Sequence, residues 1–117
     1  MESIPMKEIK AIIRPAKLPV LREKLRSLPS FPGMTISKVE GCSAPSVHSP
    51  SNLKEELTDY TPKVRIEIVA PEEVCDSIVE TIIQNAQIGQ IGDGLVWVTP
   101  IDRAVFLFKT LRSTSEP

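Results

Sequence analysis

The 117-residue sequence predicts an α+β fold of the ferredoxin-like type, in which two helices cover one face of an antiparallel sheet. Segments of alternating apolar and polar residues, typical of strands, follow each other in turn with segments of helical periodicity. The order strand–helix–strand occurs twice, on either side of a segment without periodicity at 42–61. We expect one domain over residues 1–117, because chains of this length normally form one.

The first half of the chain is predicted to form a strand, a helix and a second strand. Residues 7–14 place Ile9, Ala11 and Ile13 on one face. Residues 18–28 carry apolar residues three or four positions apart, which predicts a helix that buries one side. Residues 34–41 alternate again and predict the second strand. Pro29, Pro32 and Gly33 mark the break between the last two elements.

The second half repeats this order. Residues 63–69 have the clearest strand pattern, and a helix follows Pro71. Its predicted buried stripe consists of Val74, Ile78, Ile82 and Ala86. Gly89 is predicted to end this helix. We expect short strands at 95–98 and 104–108, with a break at Thr99-Pro100 and a flexible tail at 110–117.

Composition and charge argue against several functions. A net charge of −1 and only one Trp, one Tyr and three Phe do not favour nucleic-acid binding. The two cysteines lack metal-ligand spacing and do not suggest a disulfide framework. The N-terminus does not resemble a signal peptide. No apolar run approaches the ~20 residues that span a bilayer, so we expect a cytoplasmic protein that is not inserted in a membrane.

Residues 89–94, Gly-Gln-Ile-Gly-Asp-Gly, contain three of the five glycines. They fit two interpretations, a tight turn between a helix and a strand or a nest of N–H groups that binds phosphate. A P-loop is disfavoured, because these glycines follow the C-terminus of a helix, whose dipole repels anions. Phosphates here would therefore need cationic side chains from elsewhere in the molecule.

Four segments resemble the PII signal-transduction family, the regulators of nitrogen metabolism: residues 6–18, 33–41, 62–69 and 82–94. The last segment, which ends in Ile-Gly-Asp-Gly, is the most specific, and the likeness covers roughly residues 6–109. The resemblance implies a homotrimeric regulator, not an enzyme, with adenine nucleotides in clefts between subunits. It also places residues 42–61 where the family has its T-loop, a mobile arm that contacts a target protein.

The resemblance also implies roles for individual residues. Lys63 would meet a small anionic effector. The implied partner-binding residues in the 42–61 segment are Ser46, His48, Leu53 and Tyr60. The implied nucleotide-binding residues are Thr35, Gly41, Val64, Gly89, Gly92, Asp93 and Gly94.

Several positions depart from the family's pattern. Leu95 stands where the family has a phosphate-binding lysine, and Phe106 and Phe108 stand where it has two arginines. Pro45 replaces the glutamine that helps to bind Mg-ATP and 2-oxoglutarate. We therefore expect ADP or AMP as the effector rather than ATP with 2-oxoglutarate, and no required cofactor. The expected target is either a membrane transporter or an enzyme of nitrogen or carbon metabolism.

Two alternatives remain open at this level. Cys42 and His48 are weak candidates for metal ligands, which suggests a metal-responsive PII-like protein linked to heavy-metal efflux. An acylphosphatase-like enzyme on the same fold would need a convergent arginine and asparagine, and no such pair is evident.

Overall fold

The computed structural model describes residues 5–42 and 60–107, which form one antiparallel sheet with two α-helices on one face. The elements are β1 (Met6–Ile13), a 3₁₀ turn (Pro15–Lys17), α1 (Leu18–Arg26), β2 (Thr35–Cys42), β3 (Tyr60–Pro71), α2 (Glu72–Ala86) and β4 (Leu95–Ile101). This arrangement confirms the predicted ferredoxin-like fold. In the part of the chain that the structure describes, no helix is long and apolar enough to cross a membrane.

The strands lie in the order β2-β3-β1-β4, so β2 and β4 are the two edges of the sheet. Cys42, at the end of β2, pairs with Tyr60, at the start of β3. The intervening residues 43–59 therefore leave and rejoin the sheet at one point. Ile13, where β1 ends, pairs with Val64 only four positions after Tyr60. The end of β1 and the base of the 42–61 segment consequently lie at the same end of the sheet.

The core lies between the sheet and the helices, as the alternation of the strands predicted. Its fully buried strand residues include Ile9, Ala11, Ile13, Ile66 and Ile68. From the helices come Leu21, Leu25, Cys75, Ile78, Ile82 and Ala86.

One residue of the predicted α2 stripe was wrong. Val74 is only half-buried, and Cys75 is buried in its place. Each residue advances about 100° around a helix, so Cys75 lies at an angle between Ile78 and Ala86, whereas Val74 lies outside the arc that Ile78 and Ala86 define.

The opposite face of the sheet is not covered by helices and carries a mixture of side chains. Lys10 pairs with Glu8 across 3.7 Å on this face. Lys10 also lies opposite the partly exposed Trp97 of β4. The uncovered face therefore carries both charged and apolar side chains, in contrast to the apolar face under the helices.

The end of the chain differs from the prediction. β4 does not break at Thr99-Pro100 but continues to Ile101, with Pro100 paired to Lys7. An edge strand tolerates proline because its missing N–H can face away from the sheet. No strand forms over residues 104–107. Instead Phe106 lines a cavity with Glu8 and Glu67 of the uncovered face, so this segment does not run along a strand edge. Phe108 lies outside the described residues.

Candidate functional site

The segment 87–94, hereafter the glycine loop, connects α2 to β4. α2 ends at Ala86, and the N–H of Gln87 makes the last helical hydrogen bond, to the carbonyl oxygen of Ile83. Gly89, Gly92 and Gly94 then adopt φ values of 81°, 97° and 101°, which residues with a β-carbon rarely adopt. The prediction that Gly89 ends this helix was wrong, because the extended backbone of Gln87 ends it at Ala86. The loop nevertheless depends on glycine at three positions.

The side chain of Asp93 organises this loop. Its Oδ2 accepts hydrogen bonds from the N–H groups of Ile88, Gly89 and Gln90, at 3.0, 2.9 and 3.3 Å. The N–H groups therefore converge on an acceptor within the loop itself, which fits the interpretation as a tight turn. The expectation that Asp93 would wrap a phosphate meets a physical obstacle, because its carboxylate is an anion that already binds those donors.

Arg14, just after β1, holds the other side of the same carboxylate. Its Nε lies 3.3 Å from Asp93 Oδ1, and its Nη2 donates to the carbonyl oxygen of Ile91 at 2.9 Å. Desolvation raises the pKa of the Asp93 carboxyl, but the three backbone N–H groups and Arg14 outweigh it, so the pKa is lowered overall. Asp93 is therefore ionised at neutral pH.

Lys63 of β3 also contacts the glycine loop. Its Nζ donates to the carbonyl oxygen of Gly92 at 2.5 Å. Its Cγ would lie 3.2 Å from a β-carbon on Gly41, so the stem of the lysine packs against the end of β2. Partial burial is the main cause that lowers the pKa of Lys63, and the charge of Arg14 adds to it. Lys63 thus links the glycine loop to the base of the 42–61 segment.

These residues surround an open cleft of about 770 Å³, a volume within the range of small-molecule sites. Arg14 and Lys63 supply its positive charge, and Gly41, Gly92 and Gly94 bring backbone close to it. Its remaining walls include Ile12, Cys42 and Leu95. The arrangement suits an anion with an organic body. Leu95 is 58% exposed and contributes no charge.

A smaller cavity of about 260 Å³ lies on the other side of the glycine loop. Its walls are mostly aliphatic, with Ile82, Ile83 and Ala86 from α2 and Val96 from β4. It shares Ile12, Gly94 and Leu95 with the cleft.

The structure brings together six of the eight residues predicted to bind nucleotide or effector at this end of the sheet, Asp93 among them. Gly41, Lys63, Gly92 and Gly94 line the cleft, and Gly89 lies in the adjoining turn through its bond to Asp93. Tyr60 is 61% exposed where β3 begins. Ser46, His48 and Leu53 lie outside the described residues.

Two predicted nucleotide-binding residues lie elsewhere in the subunit. Thr35, at the other end of β2, lines a separate cavity of about 540 Å³ together with Phe106. Val64 is only 5% exposed, in the core, and faces the helices whereas its neighbour Lys63 faces away from them. Because successive strand residues point to opposite faces, the side chain of Val64 points away from the cleft, and its role in nucleotide binding stays a prediction. Val69, on the same face as Lys63, lines the cavity with Thr35.

Arg14 was missed by reasoning from the sequence. Nothing in residues 7–14 distinguishes it from a solvated charge at the end of a strand. Its partners Ile91 and Asp93 lie 77 and 79 positions away.

In the described ranges 5–42 and 60–107, no three His, Cys, Asp or Glu residues are grouped so as to hold a metal ion. His48, the other proposed metal ligand, lies outside those ranges.

Comparison with known proteins gives a consistent result. The family model described as Nitrogen regulatory protein P-II matches residues 6–110. The nitrogen regulatory protein P-II of Haemophilus influenzae is 41% identical over 101 residues, covering 86% of this chain and 89% of that protein. The nitrogen regulatory protein P-II 1 of Escherichia coli is 42% identical over the same length and coverage.

Solved structures are similar in fold. A Bacillus subtilis GlnK–ATP complex superposes with a TM-score of 0.68 at 28% identity, covering 86% of each chain. Arabidopsis thaliana PII bound to citrate superposes with a TM-score of 0.65 at 27% identity, covering 85% of this chain and 77% of that one.

Proposed function

The chain belongs to the nitrogen regulatory protein P-II family, whose members are regulators rather than enzymes, and on that premise we propose its mode of action. We propose that it forms a homotrimer, binds a small anionic effector in clefts between subunits, and controls a target protein through the 42–61 segment. Family membership also removes the acylphosphatase-like alternative, because the chain belongs with regulators.

One observation carries this proposal, the position of Lys63. Its side chain packs along Gly41, at the end of β2, and donates to Gly92 in the glycine loop. A ligand that draws the ammonium group away from Gly92 would also move the stem that packs on Gly41. Effector binding would thus change the base of the segment proposed to contact the target.

The charges of the cleft support an effector with few phosphates. Arg14 and Lys63 are the cations that line the cleft within the described residues. Both already bind glycine-loop acceptors, and Leu95 adds none. Each charge-assisted hydrogen bond contributes about 1.5–3 kcal/mol, so a site with few free cations gains little from each further phosphate. We therefore propose ADP or AMP rather than ATP with 2-oxoglutarate.

Apolar residues exposed on the edge strand β4 and at the neighbouring end of α2 support self-association. Ile83, Leu95, Trp97 and Val98 expose between 36% and 58% of their surface in the single chain. Ile91, beside them in the glycine loop, is 73% exposed. Exposed apolar residues that are grouped in this way are typical of interaction surfaces. In the proposed trimer they would be covered by a neighbouring subunit, which would complete the cleft.

The proposed target is a transporter or an enzyme of nitrogen or carbon metabolism, and the proposed location is the cytoplasm. Ser46, His48, Leu53 and Tyr60 are proposed to contact the target. A pull-down with the intact protein and with a Tyr60→Ala variant would test this part, since the 61% exposed ring can be removed without opening the core.

Calorimetric titration with AMP, ADP and ATP, each with and without 2-oxoglutarate, tests the effector. We expect ADP or AMP to bind, ATP to bind no more tightly than ADP, and 2-oxoglutarate to change nothing. Lys63→Gln should weaken binding, whereas Lys24→Gln, at an exposed position on α1, should not. Sedimentation should give a trimer. Absence of heat with all three nucleotides would refute the nucleotide proposal.

A further inference from the structure

We propose that Arg14 is a positioning residue, which holds the glycine loop in its binding shape by way of Asp93. The part of this inference that concerns the effector rests on the function proposed above. The part that concerns the loop rests only on contacts within the chain.

The two oxygens of Asp93 have different partners. Oδ2 accepts from three consecutive backbone N–H groups, those of Ile88, Gly89 and Gln90. Oδ1 faces Nε of Arg14. The carboxylate therefore joins the first half of the glycine loop to the residue that follows β1. Arg14 also binds the second half directly, through the carbonyl oxygen of Ile91.

The location of the carboxylate explains why a cation is needed. Its N–H partners directly follow α2, which ends at Ala86. The C-terminal end of a helix carries partial negative charge and disfavours an anion. The guanidinium of Arg14 offsets this repulsion. Without it, Asp93 would be drawn towards solvent, and the N–H groups of residues 88–90 would lose their acceptor.

The shape of the guanidinium explains why the cation is arginine. Nε contacts Asp93 while Nη2 contacts Ile91, so two points of the loop are fixed by one planar group. Arg14 also packs over Gly92, where a β-carbon would lie 3.3 Å from Nη2. A lysine at this position would retain the charge, but its single ammonium group could not reproduce the two separate contacts of the planar guanidinium.

This arrangement prepares the cleft for its ligand. Gly92 and Gly94 line the cleft, and their placement depends on the turn that Asp93 and Arg14 hold. A loop already in the binding conformation loses less conformational entropy on binding, which raises affinity. The role of Arg14 in effector binding would then be transmitted through Asp93.

Hydrogen exchange of the ligand-free, full-length protein tests the loop. Arg14→Met and Asp93→Asn should each speed exchange of the amides of residues 88–90 about tenfold, the size expected for one charge-assisted bond. The effects of the two single variants should not add in the double variant, because both remove the link between Arg14 and Asp93, although Arg14→Met also removes the bond to Ile91. Arg14→Lys should fall between the wild type and Arg14→Met. Arg22→Met, at an exposed position on α1, is the matched control.

Nucleotide titrations of the same variants test the link to the effector. We expect Arg14→Met and Asp93→Asn to weaken ADP binding by similar factors, again without additivity in the double variant. If Arg14→Met weakens binding and Asp93→Asn does not, Arg14 contacts the ligand itself and the positioning role is wrong. Unchanged exchange at residues 88–90 would also refute it. If the wild type binds no nucleotide, the proposed function fails, and exchange alone still decides the role of Arg14.

Discussion

Gly94 lies directly against the backbone of Ile12: a β-carbon on Gly94 would be 1.7 Å from the carbonyl oxygen and 2.8 Å from the carbonyl carbon of Ile12. Through this contact the end of the glycine loop packs on β1, the strand next to β3, which carries Lys63. Backbone packed on backbone cannot be relieved by a side-chain rotation, so the contact admits only glycine. It fixes where β4 begins and hence where Leu95 meets the cleft.

Gly94→Ala should therefore destabilise the protein strongly. The new methyl group would overlap the Ile12 carbonyl, and the φ of 101° is itself unfavourable for alanine. We expect a loss of at least about 3 kcal/mol in the free energy of unfolding, measured by urea denaturation.

Gly33→Ala provides the control for this effect. Gly33 has a similar φ of 109°, but nothing lies within 4 Å of its β-carbon position. Gly33→Ala should therefore lower the free energy of unfolding only by the cost of the unfavourable φ, about 1–2 kcal/mol. Equal losses of unfolding free energy in Gly33→Ala and Gly94→Ala would show that the overlap with Ile12 adds nothing to the destabilisation.

The core predicts a second pair of variants. Ile66 is fully buried in the middle of β3, so Ile66→Ala should cost about 2–5 kcal/mol. Ile91 is 73% exposed in the glycine loop. Ile91→Ala should therefore change the free energy of unfolding of the single chain by less than about 0.5 kcal/mol. A larger loss at Ile91 in the assembled protein would indicate that a neighbouring subunit covers this residue.

The lowered pKa of Asp93 predicts a dependence of stability on pH. A carboxyl whose pKa is lower when folded stabilises the protein above its unfolded value of about 3.9. That contribution is lost as the pH falls through the lower folded value. The stability difference between wild type and Asp93→Asn, from denaturation between about pH 7 and pH 3, should therefore shrink as the pH falls. A constant difference would contradict the ionic role of Asp93.

Leu95→Lys should strengthen phosphate binding, because it adds a cation at a position where the protein has none. Leu95 is exposed on the wall of the cleft, so a lysine fits there without disturbing the core. One added charge-assisted bond should tighten ATP binding by about tenfold or more, and AMP binding by less. Leu95→Met, similar in size and neutral, should change neither. An equal gain for AMP and ATP would place the phosphates away from residue 95.

The elements of the fold could be predicted because each one buries a regular stripe. Ile9, Ala11 and Ile13 alternate, and Leu21 and Leu25 lie one helical turn apart, as their burial confirms. The prediction failed at the end of the chain. A short apolar run such as Ala-Val-Phe-Leu at 104–107 does not by itself distinguish a strand from another buried segment, and this one reaches the uncovered face through Phe106.

The site was only partly predictable for a similar reason. The glycine spacing identified the loop, but the role of Asp93 depends on which N–H groups its side chain reaches after folding. Arg14 meets that carboxylate only because β1 ends beside β4. The alternation of Val64 with Lys63 places its side chain in the core, whereas its predicted role came from the family resemblance alone.

Hydrogen exchange with and without saturating ADP tests the central claim most directly. It reports both the location of the effector site and its coupling to the base of the 42–61 segment. We predict slower exchange with ADP in two regions, the glycine loop through Leu95 and the paired ends of β2 and β3 at Gly41 and Lys63. Arg22 and its neighbours on α1 should be unchanged. Unchanged exchange in both regions on ADP addition would contradict the account.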